Sequence, residues 1–166
     1  MNTNALFNFV VEPGGKTITV ERSFNAPLAQ VWSAWTDPEI LCQWWAPKPY
    51  TCVIKSLDFR EGGRWLYCME GPEGDRHWAL FDYAIVRPMS FYSGTDAFCD
   101  ESGSINTSMP STQWENHFKE KDGTTLVRCK LHCASAQAAE QLMKMGFKEG
   151  FTLGLEQLDE LLASGK

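Results

Sequence analysis

The sequence contains no Cys-x-x-Cys pair, no apolar run long enough to span a bilayer and no excess of basic residues. Each absence removes a class of function. A membrane span takes about 20 consecutive apolar residues; no window approaches that, so neither a span nor a membrane partner is expected. Lys and Arg number 15 against 21 Asp and Glu, for a net charge of −6 and a pI near 5.1. That balance offers no broad basic face to a nucleic-acid backbone, and no nucleic-acid partner is expected. The start, "MNTNALFNFVVEPGGK", has neither a positive n-region nor a long apolar h-region, so the reading is a cytoplasmic protein. In that compartment the six cysteines are expected to be reduced thiols. Cys129 and Cys133, four apart on an expected strand, lie about 13 Å apart at ~3.3 Å per residue, too far for a disulfide or a shared zinc. There is also no phosphate loop, no G-x-S-x-G, no H-E-x-x-H and no paired zinc motif, so no cofactor and no metal are expected.

What the sequence does have is aromatic bulk: seven Trp and ten Phe within 166 residues. A core built from them can wall a cavity. The length suits a single domain, residues 1–166, with about 1–14 as an N-terminal extension. "KTITVERSF" (16–24) alternates Ile18, Val20, Arg22 and Phe24 against polar or small neighbours, which predicts a strand. The period then changes, with Leu28, Val31, Trp32 and Trp35 at helical spacing behind Pro27. A second short helix starts from Asp37 as cap, with Pro38 at its first position and Glu39 suited to its dipole, and ends before Pro47. From Tyr50 to Cys133 the chain reads as an antiparallel meander, with 96–111 as a Ser-rich loop and Asp122-Gly123 turning a hairpin. From Ser135 the pattern is helical for about 28 residues, longer than the ordinary globular helix. Strands, two short helices and a long terminal helix make an α+β plan.

The terminal helix is expected to turn Leu142, Met143, Phe147, Phe151, Leu155, Leu158 and Leu162 towards a curved sheet. Gly146, Gly150 and Gly154 interrupt it at every fourth residue, each at a cost of roughly 1 kcal/mol relative to Ala. They either let the helix bend over the sheet or leave room for a ligand. Alternation sends Trp65, Tyr67 and Met69 to one face of their strand, and Thr112, Trp114, Asn116 and Phe118 to one face of another. Tyr67 and Asn116 are the sparse polar groups that orient a ligand in an apolar pocket. His117 and His132 should point away from the core. His77, in phase with Phe81, Tyr83 and Ile85, is the one catalytic candidate, an acid or base tuned by Asp58 or Glu70.

Three segments, "ITVERSFNAPLAQVWSAWTDPEILCQWWAP" (18–47), "DFREGGRWLYCMEGPEG" (58–74) and "MGFKEGFTLGLEQLDELL" (145–162), resemble the activator of Hsp90 ATPase homologue 1-like (AHSA1-like) family of the SRPBCC, or START/Bet v 1-like, superfamily. The resemblance implies a helix-grip fold. In it, a curved antiparallel sheet of about six or seven strands wraps a long C-terminal helix, and two short helices after the first strand close one end of a deep cavity. It leaves function open, since the superfamily includes lipid and hormone carriers, cyclases and co-chaperone domains. Phe81 stands where relatives often have Gly, which implies a smaller cavity, and the 96–111 loop is longer and more polar than usual. The family motif stresses Trp44, which implies a structural anchor there and leaves Trp45 at the cavity end.

The leading expectation is a binding protein for a small apolar or aromatic ligand, contacted by Trp45, Trp65, Tyr67, His77, Tyr83, Trp114, Asn116, Met143, Phe147 and Phe151. One alternative is a cavity enzyme of the cyclase or hydrolase type using His77. The other is a module that modulates a chaperone ATPase, a partner the sequence does not favour. A homodimer is a common outcome for small domains and is the remaining partner expectation.

Overall fold

Two periodicities divide the chain into its layers. The structure, a computed structural model, describes residues 6–164. Alternating stretches form β1 (Phe7–Val11) and β2 (Thr17–Phe24), which precede two helices, α1 (Leu28–Thr36) and α2 (Pro38–Leu41). The meander follows as β3 (Thr51–Leu57), β4 (Arg64–Glu70), β5 (Arg76–Arg87), β6 (Phe91–Phe98), β7 (Thr112–Lys121) and β8 (Thr124–Cys133). All pairs are antiparallel, in one eight-stranded sheet of order β1–β2–β8–β7–β6–β5–β4–β3. The strand beyond the expected six or seven is β1. It comes from the stretch read as an N-terminal extension and pairs with β2 from Phe7 opposite Arg22 to Val11 opposite Ile18. The β7–β8 turn has Asp122 at φ 54° and Gly123 at φ 78°, the two left-handed residues that a tight hairpin turn uses.

Helical spacing buries Val31, Trp32, Ala34 and Trp35 on α1. Asp37 caps α2 as expected, its carboxylate accepting from the Glu39 N–H at 3.0 Å. The terminal helix is not continuous. It divides into α3 (Ala136–Lys144), capped by Ser135, and α4 (Phe147–Ala163). Between them Gly146 sits at φ +90° and donates its N–H to the Met143 carbonyl at 3.0 Å. An L-side chain in that region costs about 1–2 kcal/mol, so the glycine ends one helix and starts the next at a new angle.

The concave face of the sheet holds the core. There α4 buries Phe151, Leu155, Leu158 and Leu162 against Ile18, Val20, Val127, Cys129 and Leu131. A Cβ on Gly154 would lie 3.4 and 3.5 Å from the carbonyl oxygens of Trp44 and Trp45, so α4 packs closely on the 44–46 segment. A second, smaller cluster, Leu66, Leu80 and Ala97 with Trp78 and Cys99, lies on the convex face. The polar loop after β6 lies against it: Cys99 bridges to Ile105, and Arg64 donates to the Gly103 carbonyl at 3.2 Å. Apolar groups on the back of the sheet thus hold the loop after β6, from which Pro110 reaches the cavity.

Candidate functional site

A cavity of about 290 Å³ opens between the concave face, the α3–α4 junction and the segment after α2. Its walls are largely aromatic. Trp45 reaches in from the end of the short helices and donates its indole N–H to the Tyr67 hydroxyl oxygen at 3.0 Å. Trp114 comes from β7, while Phe147 and Phe151, one turn apart on α4, stack with centroids 5.3 Å apart. Gly150 on the same face leaves its side-chain volume empty.

One charged group lies on this wall, Asp96 of β6. It stands opposite Thr112 and Phe81 in the sheet, so it faces the concave side with them. One carboxylate oxygen accepts from the Thr112 N–H and the other from the Trp114 indole N–H, both at 2.8 Å. Burial pushes its pKa up to about 6, and those two hydrogen bonds hold it from rising further. The sequence does not single out Asp96, which opens the Ser-rich stretch 96–111 that reads as loop. The signal was there: Tyr92, Gly94 and Asp96 continue the alternation, pairing with Asn116, Trp114 and Thr112.

Of the ten residues expected around a ligand, Trp45, Tyr67, Trp114, Phe147 and Phe151 line the cavity. The other five sit elsewhere. Trp65 lies behind the wall, stacked on Tyr67 at 4.2 Å and packed on Trp45. Tyr83 is buried among Phe59, Phe81 and Tyr92. Asn116 is buried opposite Tyr92, its Oδ1 without a hydrogen-bond partner. Met143 packs half-buried against the core. His77 is exposed, its side chain 60% accessible, and its Nε2 contacts Asp75 at 2.8 Å rather than Asp58 or Glu70. It shares the phase of Phe81 and Tyr83 but stands at the second residue of β5, beside the Tyr50 ring 5.8 Å away and outside the cavity lining. Ile85, counted in that phase, is exposed because the β5 register shifts between Tyr83 and Val86. Phe81 is not part of the cavity lining: its ring lies over Gly94, where a side chain would collide with it, and contacts Tyr83, Tyr92 and the wall residue Trp114.

Residues 25–163 match the family described as Activator of Hsp90 ATPase homolog 1-like protein. The chain belongs to that family. Among solved structures, protein Ms6760 of Mycobacterium smegmatis is 30% identical with a TM-score of 0.86, over 95% of this chain and 96% of that one. A Staphylococcus epidermidis protein is 27% identical with a TM-score of 0.83, over 95% of each chain. A third, from Arthrobacter aurescens, is 22% identical with a TM-score of 0.88, over 95% of this chain and 91% of that one, and attests the fold alone. No curated protein matches the chain. In this member of the Activator of Hsp90 ATPase homolog 1-like family the helix-grip arrangement is complete.

Asp96 has a measurable consequence for this family member. A carboxyl whose folded pKa stands near 6, above the ~3.9 of an unfolded Asp, binds its proton more tightly when folded. The contribution is therefore fully present below about pH 4 and lost as pH rises through about 6, on the order of 2–3 kcal/mol. Urea denaturation of the wild type and Asp96→Asn between pH 4 and 7.5 is expected to show the wild type losing stability relative to the variant across that window. Glu21, Asp75 and Asp100, whose pKa values are lowered by hydrogen bonds from Arg128, His77 and Ser102, titrate in both proteins and cancel. A flat difference would place the Asp96 pKa outside that window.

Proposed function

We propose that this protein is a cytoplasmic small-molecule carrier or sensor, a single domain whose cavity holds a small apolar or aromatic ligand. The observation that carries the reading is the cavity itself, walled by Trp45, Tyr67, Trp114, Phe147 and Phe151 and entered by few polar groups. Its volume of about 290 Å³ stands at the lower edge of ligand pockets and is roughly twice the ~150 Å³ that takes one benzene. That suits a one- or two-ring molecule. The acid–base alternative required His77 inside the cavity, and His77 is outside it. The chaperone alternative rests on the description of the family; the large exposed apolar residues, Leu6, Val10 and Val11 at β1 and Val53, Ile85, Met89, Ile105, Met145 and Leu153 elsewhere, single out no binding face for it. Among the described residues no helix is long and apolar enough to cross a membrane.

Native mass spectrometry of protein purified from its own cells is expected to reveal a retained small molecule. Gly150→Leu provides the structural test. A Cβ there meets Pro47 at 3.6 Å, an ordinary contact, and the larger side chain projects into the cavity. Leucine also favours the helix by about 1 kcal/mol over glycine. Binding of 2-phenylethanol, followed by ligand-observed NMR, should fall at least about tenfold while thermal stability holds or rises. Unchanged binding in the variant would put the ligand elsewhere and remove the proposal.

A further inference from the structure

The cavity carries a carboxylate and no cation to balance it. Among the residues that line it there is no Lys, Arg or His, and among the described residues no ion pair includes Asp96. Both hydrogen bonds that Asp96 accepts come from neutral donors, one on each oxygen. An ionised carboxylate offers about four acceptor positions, so two remain open. A half-buried carboxylate without a counter-charge is costly in the empty protein, and a ligand that brings the missing positive charge removes that cost. The surrounding rings add to this. Indole and phenol faces attract cations, and a carboxylate set among several such rings is the arrangement that holds organic ammonium groups. Trp114 joins the two features, since its indole N–H is on Asp96 and its ring packs on Phe151, 5.6 Å away at 89°.

One feature of the wall opposes this charge preference. Gly146 and Phe147 bring the N-terminal end of α4 to the cavity, and its partial positive charge favours an anion. Glu149 in the first turn offsets it in part, while Lys148 beside it points to the Phe9 ring and Lys144 in the last turn of α3 balances the negative end of that helix; none of the three lines the cavity. A full charge on Asp96 outweighs the remaining half-charge of one helix end.

We infer that the cavity is selective for an organic cation, a small molecule with a protonated amine on an aromatic or apolar body, its ammonium at Asp96 and its body among Trp45, Trp114, Phe147 and Phe151. The inference rests on the binding reading above and names the ligand class. Selectivity follows the ionisation of Asp96, which titrates near pH 6. Tyr67 on β4 and Cys133 on β8 are titratable groups that interact with it, and burial raises both, so they stay neutral from pH 5 to 8. The cavity residues of β5, β7, α3 and α4 include no titratable group.

Three probes of one shape make the test: 2-phenylethylamine, 2-phenylethanol and 3-phenylpropionate, titrated into the intact protein by calorimetry or NMR. At pH 7.5 the amine is expected to bind at least about tenfold more tightly than either of the others, the scale of a charge-assisted hydrogen bond. In Asp96→Asn the ratio of amine to alcohol affinity should approach one. In the wild type the same ratio should fall as pH is lowered from 7.5 to 5, a readout that does not depend on how well the variant folds. Equal binding of amine and alcohol, tighter binding of 3-phenylpropionate, or a ratio indifferent to both pH and the variant would overturn the inference and leave the binding reading standing. Failure of all three probes to bind overturns both.

Discussion

Trp44→Ala is expected to destabilise the protein by about 3–5 kcal/mol, the range for deleting a large buried aromatic, read from urea denaturation at constant pH. Trp44 has no accessible surface. Its ring sits 4.9 Å from Trp35 and 5.4 Å from Trp45, both edge-on, and its indole N–H donates to the Ala34 carbonyl at 2.8 Å. The substitution therefore opens a cavity between α1 and the segment after α2 and leaves a buried carbonyl of α1 without its partner. Trp44→Phe separates the two losses. It keeps most of the ring contact and forfeits the hydrogen bond, so a cost of about 1–3 kcal/mol is expected from the orphaned carbonyl and the smaller ring. Trp45→Ala, by contrast, removes a half-buried residue of the cavity wall and should cost less stability. If Trp44→Ala and Trp45→Ala were equally destabilising, the division of the pair into anchor and cavity wall would be wrong.

That division is the one the family motif implies, and most of the fold was legible in the sequence itself. Alternation placed β2 and β7 with their buried faces correct, down to Thr112, Trp114, Asn116 and Phe118 sharing one side, while β4 is buried on both faces, with Leu66 and Cys68 as enclosed as Trp65 and Tyr67. Asp37 and Ser135 identified two helix caps by chemistry alone. What alternation does not carry is depth: it gives the face of His77 but not that the covering layer stops short of it. Nor does periodicity carry backbone handedness. The apolar stripe continues at helical spacing past Gly146, one of three glycines, and only at Gly146 does the chain turn through a left-handed residue between two helices. β1 escaped notice for a related reason, since an edge strand is held by its pairing with β2 and leaves Val10 and Val11 exposed. Asp96 shows the most consequential gap. An acidic residue next to a Ser-rich stretch reads as loop, and only pairing with β7 reveals that it ends a strand and faces the cavity.

Gln157→Leu is expected to cost about 3 kcal/mol or more although the two side chains are close in size, because the loss is polar. Gln157 is buried on α4 and makes three hydrogen bonds to the segment that carries the tryptophans. Its amide nitrogen donates to the carbonyls of Trp44 and Ala46, both at 2.9 Å, and its amide oxygen accepts from the Lys48 N–H at 2.9 Å. Leucine would strand three backbone groups, each worth about 1–3 kcal/mol when buried without a partner. Gln157→Glu distinguishes lost hydrogen bonds from lost packing. The carboxylate still accepts from Lys48 but faces two carbonyls with no proton to donate, so the variant should be strongly destabilised at pH 7.5. Near pH 5, where a carboxyl in such surroundings is protonated, one donated bond returns and part of the stability with it. The same residue ties stability to the cavity, for it fixes the backbone on either side of Trp45. Gln157→Leu should therefore weaken 2-phenylethanol binding more than its distance from the cavity suggests, under conditions where circular dichroism shows the protein folded. Full affinity in a folded Gln157→Leu protein would mean that Trp45 is held by its own contacts with Tyr67 and Trp65, and that α4 acts on the cavity only through Phe147 and Phe151.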